Sequence, residues 1–495
     1  MKIWLDTVSH NNHVENDCKD CSRSGRSPAA IAWPSATGDV VLLQKLILQL
    51  SQALYIQECS DGRWLVCNPS RSGRVAVLDG QALSLLALFR TPTSLSQVTH
   101  WSRQDIEKIV TLFYHLDFLQ DISMRSPPSL WEETQTLTAW LHVTNECNLR
   151  CHYCYLQKTH DDMSAEVGHR SVEAVFRSAQ KHNIKNVKLK YAGGEASLHM
   201  MSVINLHDYA SQLAQEWDIS LEGVLLSNGV ALSQRAIDHL KSRDIAIMIS
   251  LDGLGAYHDS QRPLLGGQGS SKYVQHTIDR LLANGVIPSI SVTVSRRNLA
   301  GLPELMQYML ERKLLFSLSY YRDNECSSHI TDLCFADEQI IVAMRAAFAV
   351  IEKKLPARSL LGCLLDKADL SSSHRRTCGV GQNYLVIDQH GGVAKCQMDI
   401  KRTVATINSE DPLRIVREDR QGVQGLPVEE KEGCRDCSWR SWCAGGCPVL
   451  TYRSTGRYDV KSPNCTIYKA LFPEVLRLEA LRLLRYVAPF DFAKT

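Results

Sequence analysis

Residues 137–154 read LTAWLHVTNECNLRCHYC. The apolar run LTAWLHV meets the polar residues Thr144, Asn145 and Glu146, a pattern that predicts a buried strand ending near residue 143. Three cysteines follow in a C-x3-C-x2-C array: Cys147, Cys151 and Cys154. Their number matters. A structural zinc closes a shell of four ligands, whereas three thiolates hold three irons of a [4Fe-4S] cluster and leave the fourth iron open to a ligand that is not protein.

Around this array the pattern alternates. Candidate strands LTAWLHV, NVKLKYA, LEGVLLS, IAIMISL, PSISVTV and LFSLSYY are separated by amphipathic stretches such as SVEAVFRSAQKH, QRAIDHLKSR and SKYVQHTIDRLLAN. Six β/α units across residues 137–325 predict a parallel sheet in an α/β fold. Six are too few to close an eight-stranded barrel, so the expectation is a partial (β/α)6 barrel with its active site at the strand carboxyl ends.

Composition narrows the function. The chain has 495 residues, 44% of them hydrophobic and 22% charged, enough for about three domains by a length prior of roughly 150 residues each. A formal charge of +2, from 55 basic and 53 acidic residues, gives no field for a polyanion, so no nucleic-acid partner is expected. No targeting segment opens the sequence, and no stretch approaches the roughly 18 apolar residues of a membrane helix. The expectation is a cytoplasmic protein without a membrane partner. Seventeen cysteines in such a chain favour metal ligation over a disulfide framework.

Residues 1–38 are polar and aperiodic and read as a flexible leader; the pair Cys18 and Cys21 within it has no second pair nearby and is given no role. In residues 39–125, RWLVCN and RVAVLDG read as a hairpin and GQALSLLALF as a helix. A second helix opens at a capping box of Ser102 and Asp105 and buries Ile106, Ile109, Val110, Phe113 and Leu116. This is a winged-helix-like pattern, without the basic surplus that phosphate contacts require. Residues 326–376 read as a helical bridge, 377–470 as a cysteine-rich domain and 471–495 as a C-terminal helix.

The three-cysteine array, followed by YAGGEA at 191–196, LLSNG at 225–229 and SLDGLGAYHDSQRP at 250–263, resembles the radical S-adenosylmethionine family. That resemblance implies a [4Fe-4S] cluster on Cys147, Cys151 and Cys154, with S-adenosyl-L-methionine on its open iron as the source of a 5'-deoxyadenosyl radical. It also implies that Tyr153 lies against the adenine, that Gly193 and Gly194 let backbone approach the cofactor, that Glu195 accepts from the methionyl ammonium, and that Ser250 and Arg262 hold the ribose and carboxylate. An electron donor such as flavodoxin or ferredoxin would be a partner. Ala196 stands where the family usually has proline.

Further on, the spacing C-x12-G-x4-C over Cys378, Gly391 and Cys396, then C-x2-C-x5-C-x3-C over Cys434, Cys437, Cys443 and Cys447, then Cys465, resembles the SPASM domain of radical enzymes that modify peptides. By that resemblance Cys434, Cys437, Cys443 and Cys465 hold an outer auxiliary cluster, and Cys378, Cys396 and Cys447 an inner one, each most simply [4Fe-4S]. The fourth inner ligand is left open between Cys363, substrate and water. Residues 40–122 resemble the peptide-recognition domains of ribosomal-peptide maturation systems, in which a leader peptide adds a strand to the wing edge. The function implied is oxidative modification of a precursor peptide, such as a side-chain crosslink. The alternative is a formylglycine-type sulfatase maturase, whose aspartate directly after the cysteine equivalent to Cys396 is here Gln397, with Asp399 two further on.

Overall fold

The structure is a computed structural model that describes residues 1–6, 43, 46–71, 73–99, 102–123 and 136–492. Six parallel strands, β8 (Thr136–Thr144), β9 (Asn186–Gly193), β10 (Ser220–Ser227), β11 (Ile245–Ser250), β12 (Ser289–Val294) and β13 (Leu315–Tyr320), lie side by side in chain order. The helices between them include Ala165–Lys181, Met200–Glu216, Gln234–Ser242 and Ser271–Ala283. Each β/α unit thus lies where the hydrophobic periodicity puts it. Ser164 and Ser233 accept from the amides of Val167 and Ala236 and so open two of these helices.

The sheet does not end at β8. Strand β14 (Tyr384–Ile387) pairs in parallel with β8, and β15 (Gly392–Ala394) and β16 (Thr403–Thr406) continue antiparallel, giving nine strands in one sheet. The cysteine-rich segment therefore extends the barrel wall. Trp140 and Ala192 of the barrel share one apolar cluster with Cys378, Cys396 and Cys447.

Ahead of the barrel lie β1 (Lys2–Leu5), β2 (Ile47–Leu50), β3 (Tyr55–Ser60), β4 (Arg63–Cys67), β5 (Val75–Asp79), β6 (Thr93–Ser94) and β7 (Leu119–Asp121). The expected hairpin is β4 with β5, and β3 joins it through a two-residue Asp61-Gly62 turn, both residues at positive φ, as a type I′ turn requires. The helix Arg103–His115 opens at Ser102, and its five expected core residues are buried.

Two expectations are corrected here. Lys2–Leu5 is not part of a flexible leader: β1 lies inside a five-stranded sheet, between β5 and the last strand, β17 (Phe490–Asp491), with Ile3, Trp4 and Leu5 buried. The polar sequence after residue 6 hid this short apolar run; the rest of the expected leader, with Cys18 and Cys21, lies outside the described residues. The last helix spans Cys465–Tyr486, starting inside the cysteine-rich segment, and Pro473 does not end it. The expected bridge holds one long helix, Asp337–Lys353.

The five-stranded sheet is buried on both faces. Trp4, Leu65, Cys67, Val75 and Val77 face the barrel's core, while Ile3, Leu5, Val66, Ala76 and Leu78 face the core of the N-terminal helices. Period-2 alternation sends neighbouring residues to different cores. No helix among the described residues is long and apolar enough to cross a membrane.

Candidate active site

At the carboxyl ends of β8 to β13 the chain forms a partly open cavity of about 240 Å³. Cys147, Cys151, Cys154, Tyr153, Gly193, Gly194, Glu195, Ser250 and Arg262 all line it. Cys378, Cys396 and Cys447 line the same cavity. Cys363 does not; it sits in the main core, where its carbonyl accepts from Leu318.

Burial pushes up the thiols of Cys147 and Cys151, Cys151 to about 12 despite the opposing Arg262 guanidinium. Thiols so held are poor nucleophiles at neutral pH and ionise readily only on a metal. Burial works against the Lys158 ammonium, but the neighbouring Cys154 and Cys147 outweigh it and raise its pKa. The donor set therefore fits a thiolate-bound cluster with a cation beside it.

Gly193 and Gly194 also pack closely on backbone. A Cβ on Gly193 would stand 2.2 Å from the Thr144 carbonyl oxygen, and one on Gly194 2.1 Å from that of Glu146. The amides of Gly194 and Glu195 donate to those same two oxygens, both at 2.7 Å. The glycines thus let the end of β9 dock on the loop that leads into Cys147; they line the cavity, but their missing side chains make room for backbone.

Glu195 is buried, and its carboxylate accepts from Ser227 Oγ at 2.7 Å and from the amides of Asn228 at 2.6 Å and Ser197 at 3.2 Å. Burial raises its pKa, opposed by these donors. Oε2 takes one of the three bonds and keeps a lone pair for another donor. Arg262 does not stand alone. Its Nε donates to Asp252 Oδ2 at 2.7 Å and its guanidinium lies 5.1 Å from the Tyr153 ring centroid. Asp252, fully buried, also accepts from Tyr153 Oη at 2.6 Å and from the Thr293 amide at 2.8 Å.

Asp252 is the organising residue that sequence reasoning missed, although SLDG was among the quoted motifs. Its own amide donates to His258 Nδ1 at 3.2 Å, and His258 Nε2 lies 3.0 Å from Ser270 Oγ. Burial lowers the His258 pKa to about 4, so the ring is a neutral acceptor for the Asp252 amide. Gln397 lines the cavity and accepts from Tyr384 Oη at 3.2 Å, and Asp399 is half-buried with its pKa raised by burial.

The four remaining cysteines of the C-terminal pattern gather elsewhere. Cys434, Cys437, Cys443 and Cys465 lie within electrostatic reach of one another, and burial pushes Cys434 to about 11 and Cys443 to about 12.

Residues 141–308, which carry the array and the strand-end motifs, match the model of the Radical SAM superfamily. They form a radical SAM domain. Among its relatives, an uncharacterized protein of Methanocaldococcus jannaschii is 28% identical over 178 residues, 34% of this chain and 57% of that protein. The antilisterial bacteriocin subtilosin biosynthesis protein AlbA of Bacillus subtilis is 25% identical over 175 residues, 34% of this chain and 36% of AlbA. The matched stretch thus spans little more than half of the one relative and about a third of the other. A solved structure, native anSMEcpe with bound AdoMet and a Cp18Cys peptide, superposes with a TM-score of 0.56 at 17% identity, over 69% of this chain and 98% of that one, and shows that the fold is shared. Radical SAM domains imply S-adenosylmethionine and a [4Fe-4S] cluster, and the three thiols with their buried surroundings suit them.

Proposed function

We propose that the chain oxidatively modifies a ribosomally made precursor peptide, joining side chains by radical chemistry. The observation that carries this reading is that two cysteine triads, Cys147/Cys151/Cys154 and Cys378/Cys396/Cys447, line one cavity. In this reading the first triad holds the radical cluster, the second the inner auxiliary cluster, and Cys434, Cys437, Cys443 and Cys465 the outer one. When bound, these groups supply hydrogen-atom abstraction and one-electron oxidation at a substrate held between them.

The chain's own residues prepare the site. Asp252 fixes the Arg262 fork before a carboxylate arrives, and Glu195 offers its remaining lone pair to an ammonium. Leu226, Met248 and Val449 add apolar wall to the cavity. The N-terminal unit supports a peptide substrate: among the described residues β3 pairs only with β4 and so stands at the edge of its sheet, where a strand can be added. AlbA's part in bacteriocin biosynthesis is consistent with such a substrate.

The test is to sequence the small open reading frames neighbouring the gene and to incubate the reconstituted enzyme anaerobically with S-adenosylmethionine and each peptide they encode. The expected product has lost hydrogen in pairs, resists reduction of disulfides and gives no hydrazine-reactive carbonyl. A carbonyl product would move the enzyme to formylglycine-type maturation; absence of 5'-deoxyadenosine under all donors would end the radical reading.

A further inference from the structure

Lys431 is 2% exposed, and among the described residues no carboxylate lies within ion-pair distance of it. Its Nζ donates to the Ala444 carbonyl at 2.8 Å. The single hydroxyl of Thr377 lies within hydrogen-bond reach of that carbonyl, at 3.0 Å, and of those of Cys443, at 3.2 Å, and Gly446, nearest at 2.7 Å. One ammonium thus reaches the place where Thr377, next to Cys378, meets the Cys443–Cys447 loop. Gly445 keeps the route open, since a Cβ there would stand 2.8 Å from Lys431 Nζ and 2.5 Å from its Cδ.

A buried ammonium with one carbonyl partner is costly unless negative charge surrounds it. The groups that can supply that charge are cysteines from both sets, Cys434 and Cys443 of the outer and Cys378 and Cys447 of the inner. Cysteine-bound iron-sulfur clusters are anionic and grow more so on reduction, and nearby charge shifts their potentials. We propose that Lys431 is the counter-charge shared by the two auxiliary centres, and that it raises the reduction potential of both. The inference rests on the reading above, with two auxiliary clusters beside the radical cluster. It gives the gap between the two cysteine sets a role: a single cation there makes each centre a better acceptor for an electron leaving the substrate.

The experiment compares wild type, Lys431→Met and Lys431→Arg after anaerobic reconstitution, with iron counted first and midpoint potentials then read by electron paramagnetic resonance. Lys431→Met is expected to shift both auxiliary signals to lower potential and leave the radical cluster unmoved, while Lys431→Arg stays near wild type. Unchanged auxiliary potentials at full iron content overturn the proposal. Wild type carrying fewer than three clusters overturns the cluster reading itself. If Lys431→Met does not retain auxiliary iron, its iron-free form decides: the Thr377 hydroxyl, 3.0 Å from the Ala444 carbonyl, can turn to it, so losing an uncompensated buried charge should leave thermal stability equal or higher. A fall would make Lys431 a packing post.

Discussion

Asp252 collects the guanidinium of Arg262, the hydroxyl of Tyr153 and the amide of Thr293 on one buried carboxylate. Asp252→Asn keeps the shape and leaves a buried guanidinium without its counter-charge, a loss of about 3 kcal/mol by analogy with broken buried pairs. Urea denaturation should show that loss, and 5'-deoxyadenosine release should fall with it; unchanged stability would mean that Arg262 finds another anion. His258 gives the pH signature. Its folded pKa, about 4 because of burial, lies below the unfolded value of about 6.5, so the unfolded chain binds the extra proton and stability falls as the pH drops between those values. By linkage this costs about 2 kcal/mol at pH 5 relative to pH 7. His258→Asn, whose side-chain oxygen can still accept from the Asp252 amide, should flatten that part of the urea-midpoint profile. A variant with the wild-type slope would place the acid sensitivity elsewhere.

At the scale of elements, the six β/α units were legible because each strand is a short apolar run and each helix carries a 3.6-residue stripe. What stayed hidden depends on contacts distant in sequence. Strand β1 is three buried residues before a polar stretch, and only its pairing with β5 and β17 makes it a strand. Strand β14 joins the barrel through β8, some 240 residues earlier in the chain, a pairing that no local period announces. In the site, the spacing of the cysteines and the glycines was readable, but the packing of the glycines on the 144–146 carbonyls was not. Docking of β9 on the 144–146 loop leads to a clear expectation for Gly194→Ala. The added Cβ meets a carbonyl oxygen that cannot yield as a side chain could, an overpacking cost of about 1–3 kcal/mol. Because that carbonyl belongs to Glu146, the displacement falls on Cys147. The variant should lose iron from the radical cluster to a chelator faster than wild type, with auxiliary iron retained; equal chelation rates would contradict the docking role.

For the whole molecule, the N-terminal unit, the barrel and the cysteine-rich segment share structure rather than sit in a row. The five-stranded sheet gives one face to the barrel core, and Arg482 of the last helix bonds Asp6 just after β1, Glu479 on its own helix and the Ala357 carbonyl. Tyr55 on β3 lies 5.0 Å from Trp439, between Cys437 and Cys443. Cutting away the first 125 residues would strip one side of a common core, so a test of peptide binding belongs on the β3 edge. The account's central claim is that two separate iron-sulfur sites face one cavity. Its most direct test is iron content and 5'-deoxyadenosine release of the Cys147→Ala/Cys151→Ala/Cys154→Ala variant beside wild type. The expected result is loss of about four irons per chain and of all 5'-deoxyadenosine, with the auxiliary iron still bound. A variant that still cleaves S-adenosylmethionine, or one that loses every iron at once, would contradict it.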